Sequence, residues 1–186
     1  MSFTPFAGAA GGPGGLSLSG AGTPIASMPP SGATALVTVP AQVLVAFLAT
    51  AGATATLTTL GTYLHAAAAT PGAGVNRLGI YSAAGLLLAQ TGDLTTAMQS
   101  AGLCEGALST PVGIQDGTNY YLALLPNFTG TAVQTLGYNG QAINAGLPLF
   151  GGLYPVLFNG AQTSMPASFV PSALSVGGST NFIYGR

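Results

Sequence analysis

Very few side chains in this sequence could carry out acid–base, nucleophilic or metal chemistry. The 186 residues include one histidine, His65, one cysteine, Cys104, and three acids, Asp93, Glu105 and Asp116. Zinc sites take three or four His and Cys ligands, more than one chain offers here. A calcium site takes several clustered acidic oxygens, and the spacing of the acids provides no such cluster. The sequence therefore predicts no bound metal, and it indicates no cofactor.

A hydrolytic site is equally poorly supported. His65, one acid and a serine could in principle form a Ser-His-Asp set, but no Gly-x-Ser-x-Gly turn is present to expose the serine. Glycoside hydrolysis needs two carboxylates about 5–10 Å apart. Asp93 and Asp116 instead fall at a predicted helix start and a predicted turn, where they have local structural roles. We predict that the chain is not an enzyme, that His65 is a structural or surface residue, and that Cys104 is a small buried apolar residue.

The scarcity of charge constrains the function most strongly. Only five side chains carry a formal charge: the three acids, Arg77 and Arg186. There is no lysine. A soluble domain usually has about 25% charged residues, whereas this one has 3%. Two cations cannot form the basic patch that binds nucleic-acid phosphates or anionic lipid. A net charge near zero promotes association, so we expect the chain to work packed against other protein copies.

A membrane span and a signal peptide are not indicated. The most apolar stretch, Val43–Leu64, contains six threonines and alternates with a period of two, which favours a strand over a helix. No run of eighteen apolar residues occurs. The first residues, Met1–Phe6, lack a basic region followed by an apolar segment, so we expect no signal peptide.

Residues 1–32 differ from the rest of the chain in being rich in glycine and proline. This segment has too little apolar area to offset the cost of ordering its backbone. One interpretation is a flexible tail. The other is an arm that becomes ordered against a neighbouring subunit, with Phe3, Phe6, Leu16 and Leu18 as its anchors.

Residues 33–186 show the pattern of an all-β domain. Short strands separated by Gly and Pro, without βα alternation, predict a jelly-roll-like antiparallel β-sandwich with at most one short helix, Asp93–Ser100. After Pro126 the chain is predicted to be rich in loops. The predicted strands are Thr34–Val39, Gln42–Ala49, Ala53–His65, Asn76–Ser82, Leu86–Gln90, Leu103–Thr110, Tyr120–Leu125 and Asn181–Tyr184.

Three further residues are candidates for an interface. Alternation along a strand places Tyr120 and Tyr121 on opposite faces, so one is expected in the core and Tyr121 at the surface or an interface. Tyr121 and Tyr138 could also form an aromatic platform for sugar rings. Arg77 could pair with an acid and fix the register at a subunit boundary.

Several segments together resemble a known family. They are Asn76–Thr91 with its Leu-Gly-Ile-Tyr-Ser-Ala-Ala-Gly-Leu-Leu-Leu-Ala hairpin, Asp116–Leu125 with Tyr-Tyr-Leu-Ala-Leu-Leu, and the late Leu147-Pro and Met165–Ser172 segments. Over roughly residues 34–184 the chain resembles β-sandwich domains of bacteriophage head decoration, head fibre and minor tail proteins. In such domains Asp often stands where this chain has Ser82, and the surface carries more charge.

The resemblance implies a structural virion protein, assembled in the host cytoplasm, that binds identical copies and the major capsid or tail proteins. Its neutrality favours contact with other coat subunits through apolar and neutral hydrogen-bonding interfaces. Because closed rings dominate protein oligomers, we expect a trimer. The alternative is a carbohydrate- or receptor-binding module of a tail fibre, with a host surface glycan as its ligand.

Overall fold

A computed structural model describes residues 2–5, 16–19, 23–27, 35–67, 70–130, 132–139, 156–158, 161–171, 175–176 and 179–186. These ranges include the short 3-10 helix Ala97–Gln99. The strands are β1 (Ser2–Pro5), β2 (Leu16–Ser19), β3 (Ile25–Ala26), β4 (Ala35–Val39), β5 (Leu44–Thr50), β6 (Ala55–Ala66), β7 (Thr70–Pro71), β8 (Arg77–Ser82), β9 (Leu87–Gln90), β10 (Gly102–Ile114), β11 (Asn119–Leu125), β12 (Phe128–Thr129), β13 (Val133–Asn139), β14 (Val156–Phe158), β15 (Ser175–Val176), β16 (Ser179–Asn181) and β17 (Ile183–Gly185).

Two antiparallel sheets form the body of the fold. The larger sheet has the order β16-β13-β6-β17-β3, with β10 paired to β6 and β4 paired to β13. The smaller sheet has the order β15-β14-β5-β11-β8-β9. Strands β1 and β2 form a separate two-stranded sheet, as do β7 and β12. The predicted all-β, sandwich-like fold is thus confirmed.

The main core lies between the two sheets. Leu57, Leu60 and Leu64 of β6 and Leu122 and Leu124 of β11 are fully buried in one apolar cluster. Alternate residues of a strand face opposite sides, which is why Thr56 and Thr58 of β6 are exposed while Leu57 is buried. Burying such side chains contributes roughly 25 cal/mol per Å² of apolar surface.

The smaller sheet is also covered on its outer face. Residues 161–171, here termed the strap, place Met165 and Phe169 in a second apolar cluster with Tyr81 and Tyr121. The Phe169 ring lies 4.9 Å from the Tyr81 ring and 5.2 Å from the Tyr121 ring, centroid to centroid. Burial on both faces explains why Tyr120–Leu125 is one continuous buried run rather than an alternating one.

The two predicted turns are present and rest on glycine. Gly85, in the link between β8 and β9, has φ +79°, and a Cβ there would lie 2.1 Å from the carbonyl oxygen of Phe169. Gly117, after Asp116, has φ +72°. Both positions therefore need the left-handed backbone that glycine adopts at little cost.

Two predicted elements are wrong. The helix over Asp93–Ser100 is only the 3-10 turn Ala97–Gln99, which has no side-chain cap. Its apolar residues Leu94 and Met98 are nevertheless buried. The loop-rich prediction after Pro126 misses β13, which pairs with β4, β6 and β16 within the larger sheet.

Ordered packing also begins before residue 33. Ile25 and Ala26, within the segment assigned to the arm, form β3 and pair with β17. Ser27 is buried, accepts a hydrogen bond from the Ile183 N–H and donates to the Asn181 carbonyl oxygen. Residues 23–27 are therefore part of the sandwich.

Candidate functional site

All five charged side chains lie in the described residues. Glu105 of β10 and Arg186 form an ion pair, with 2.8 Å between Oε2 and Nη2. The Tyr184 hydroxyl donates to Oε1 of the same carboxylate. Glu105 and Tyr184 flank Gly61 from the two neighbouring strands. The carboxylate thus accepts hydrogen bonds from Tyr184 and Arg186. These bonds link β10 to the C-terminal residues of the described chain.

Gly61 makes this arrangement possible. A Cβ at Gly61 would lie 2.5 Å from ring atoms of Tyr184, closer than real contacts allow. With glycine there, the tyrosine ring lies flat across β6 and reaches Glu105. Burial, followed by the hydrogen bond to Glu105 and its charge, raises the pKa of Tyr184, so the phenol stays a neutral donor.

Asp93 is held by a second group of hydrogen bonds at the loops before β8 and after β9. Its carboxylate accepts from the N–H groups of Gly74 (3.0 Å) and Asn76 (3.2 Å) and from the Thr95 hydroxyl (2.9 Å). Asn76 is fully buried and donates from Nδ2 to the Gly72 carbonyl and to Thr95 Oγ1. Its Oδ1 accepts from the Asn127 N–H at 2.7 Å. These bonds join three loops, and their donors occupy the oxygens that a cation would need.

Stability at acid pH should depend on Asp93. Burial opposes ionisation most strongly, but the hydrogen bonds from Gly74, Thr95 and Asn76 together outweigh it and lower the pKa of Asp93. A depressed pKa gives stability that is present above the unfolded value of about 3.9 and is lost as the pH falls through the folded value. We expect Asp93→Asn to flatten the loss of unfolding free energy below about pH 4, measured by urea denaturation.

The matched control for this prediction is Asp116→Asn, which removes the same charge at an exposed turn. That variant should keep the steep acid loss of the wild type. An equally steep loss in Asp93→Asn would show that the carboxylate does not contribute as described.

Arg77 binds backbone oxygens rather than the acid that was predicted as its partner. Nη1 donates to the Thr91 carbonyl at 3.1 Å and Nη2 to the Gly74 carbonyl at 3.3 Å. Among the described residues, the ion pair that does form is Glu105–Arg186. Asp116 lies at an exposed turn, and His65 is exposed near the end of β6. Four of the five charges are therefore bound within the fold.

Cys104 is completely buried between the sheets. Burial, and secondly the charge of Glu105, raises the pKa of its thiol to about 12, so almost no thiolate exists at neutral pH. We expect a thiol reagent to label Cys104 only as fast as the protein unfolds. A Cys104→Ser, Leu103→Cys variant, whose thiol would be exposed, is the control and should react at once. Rapid labelling of the native wild type would contradict this placement.

The candidate interface residues are distributed over several elements of the fold. Tyr121 is covered by Phe169 of the same chain, so its ring is not an open platform for a sugar. Tyr138 lies in β13, which belongs to the other sheet. In the two-stranded sheet, Phe3 pairs with Leu18 and Pro5 with Leu16 along the backbone. Phe6 lies outside the described residues, as do the side chains of Phe3, Leu16, Leu18 and Tyr138.

Sequence reasoning missed the exposed apolar residues. Among the described positions, the large apolar side chains with the greatest exposure are Leu86, Leu88, Leu103 and Val170. The run Leu86-Leu87-Leu88 departs from strict alternation, and the register between β8 and β9 shifts there. That run is the sequence signal from which an exposed leucine could have been predicted.

Within the described ranges, no helix is long and apolar enough to cross a membrane. In the same ranges, no three His, Cys, Asp or Glu side chains are grouped closely enough to hold a metal ion. Comparison with protein-family models, with curated proteins and with solved structures finds no match.

Proposed function

We propose that this chain is a structural subunit of a bacteriophage particle: a head decoration, head fibre or minor coat or tail protein. It associates with identical copies, a trimer being our expectation, and with the major capsid or tail proteins. The observation that carries the proposal is the placement of the charges. Four of the five are bound to groups of the same chain, and apart from these few charges the surface consists of neutral side chains.

A neutral surface suits permanent contact with other proteins. Exposed strand positions such as Thr56, Thr58, Ala107 and Ser109 carry hydroxyl or methyl groups. Bringing two such surfaces together buries apolar area and forms neutral hydrogen bonds without desolvating ions, which is the expensive step at charged interfaces. Such contacts are insensitive to salt, as a particle exposed to varying media requires.

The packing of the segments that resemble virion domains supports the same proposal. The hairpin of β8 and β9 pairs through β8 with β11, and the strap covers both strands. The resembling segments Asn76–Thr91, Asp116–Leu125 and Met165–Phe169 therefore form one packed unit instead of three scattered matches. This unit carries no catalytic group.

The proposal is tested on particles of the virus that encodes the chain. Purified particles, dissociated and analysed by quantitative mass spectrometry, should contain the chain in a fixed ratio to the major coat protein. Immunogold labelling would then distinguish head from tail. Particles that lack the chain, while infected cells contain it, would overturn the proposal.

A further inference from the structure

The first half of β10 is an edge of the larger sheet: no described strand pairs with its outer side, and Thr91 and Leu94 pack on Gly106 near its end. Gly102–Ala107 pair with β6, from Leu64 to Thr59. No other described backbone group bonds to these six residues. Leu103 is 39% exposed and Ala107 is exposed as well. An unpaired strand edge presents N–H and C=O groups to which another strand can bond.

This half of β10 lacks the devices that usually protect such an edge. The second half has them: the register shifts between Ala107 and Val112, Pro111 lacks an N–H, and Leu108 bridges to Thr91. In the first half the single charge, Glu105, is bound by Tyr184 and Arg186. No lysine is available to repel a second strand.

The opposite side of the same sheet ends in β3, of two residues, and in β4, of five residues. β4 pairs with β13, and within the described residues no strand pairs with its other side. Its five residues are all uncharged, and Thr38 is exposed. The Gly102–Ala107 edge and the β4 edge are thus similar in length, and because β4 is uncharged no like charges would face each other.

The strand directions make these two edges compatible. β10 is antiparallel to β6, β6 to β13, and β13 to β4, so β10 and β4 run in opposite directions. A second copy placed beside the first with its strands in the same orientation therefore presents β4 antiparallel to β10. Two β10 edges, by contrast, would meet only if one copy were inverted.

We propose that the Gly102–Ala107 edge of one copy pairs with the β4 edge of the next, continuing the larger sheet from copy to copy. This inference rests on the proposed self-association and specifies its geometry. Contacts between two different edges are head-to-tail, and they close into a ring when the rotation between copies permits. A trimer is such a ring.

Cysteine cross-linking tests the proposal. Facing residues of an antiparallel pair lie on the same face of the sheet. Three registers are therefore covered by pairing Leu103→Cys with Thr38→Cys, Ala107→Cys with Thr38→Cys, and Ala107→Cys with Leu36→Cys, all in a Cys104→Ser background. Each substitution is placed on a separate chain, and the two chains are mixed and oxidised. We expect one mixture to give a disulfide-linked pair, while each variant alone stays unlinked.

Two outcomes would overturn the pairing of these edges while leaving the self-association intact. One is a variant that links to itself, which would mean that identical edges meet. The other is a wild-type oligomer in which all three mixtures stay unlinked. Ser109→Cys, beyond the irregular part of β10, is the control and should not link to Thr38→Cys. A wild type that stays monomeric at high concentration would also refute the self-association on which the inference rests.

Hydrogen exchange of the unmodified chain gives a second measurement that does not depend on variants folding. Amides in residues 102–107 and 35–39 should both exchange more slowly as concentration, and hence oligomer, increases. Protection that appears at one edge only, or at neither, would contradict the pairing of these two edges.

Discussion

Replacing Phe169 by alanine is expected to lower the free energy of unfolding by about 3–4 kcal/mol. The ring is 5% exposed and packs against both Tyr81 and Tyr121, so its removal leaves a cavity between the strap and the smaller sheet. The strap then keeps its hydrogen bonds to the rest of the fold: Phe169 N–H to Gly85, Leu87 N–H to Ala167, Gln162 N–H to Gln42 and Tyr81 hydroxyl to Pro166. Urea denaturation measures the loss.

The adjacent residue supplies the control for this prediction. Val170 is 61% exposed, and Val170→Ala should change the free energy of unfolding by less than about 0.5 kcal/mol. If Phe169→Ala cost no more than Val170→Ala, the strap would not be a fixed part of the fold in solution.

Replacing Asn76 by alanine is expected to cost about 2–4 kcal/mol. The substitution removes the partner of the Asn127 N–H and one of two donors to the Gly72 carbonyl, which keeps the Thr95 hydroxyl, and it empties space at a fully buried position. A buried polar group without a partner costs about 1–3 kcal/mol. Thermal or urea unfolding would measure the loss.

Asn119→Ala is the matched control for Asn76. Asn119 is exposed, and its Oδ1 accepts a hydrogen bond from the Thr50 hydroxyl at 2.7 Å. Water can replace that bond, so the loss should stay below about 1 kcal/mol. Equal losses in the two variants would mean that Asn76 does not join the three loops as the structure shows.

The strands were predictable where local pattern sets them. β6 alternates, β11 is a continuous apolar run, and Gly85 and Gly117 mark turns that need positive φ. β13 was missed because Val133–Asn139 includes glutamine, threonine and glycine and is held by pairing with three strands distant in sequence. β13 is stabilised by pairing with β4, β6 and β16, none of which is adjacent to it in the sequence.

The arrangement of the charges could not be predicted from the sequence for the same reason. Asp93 looked like a helix cap, but its acceptor atoms are taken by N–H groups 17 and 19 residues earlier. Glu105 pairs with Arg186, 81 residues away. The ring of Tyr184 reaches Glu105 because Gly61 has no Cβ in its path. The number of charges was evident, whereas their internal use depends on the tertiary fold.

The most direct test of a neutral, self-associating surface is the mass of the purified chain at low salt and at about 1 M NaCl, where the Debye length is near 3 Å. Analytical ultracentrifugation at both ionic strengths should give one discrete oligomer of unchanged mass. Dissociation at high salt would show that ions hold the copies together, and a monomer at both salt concentrations would refute the self-association itself.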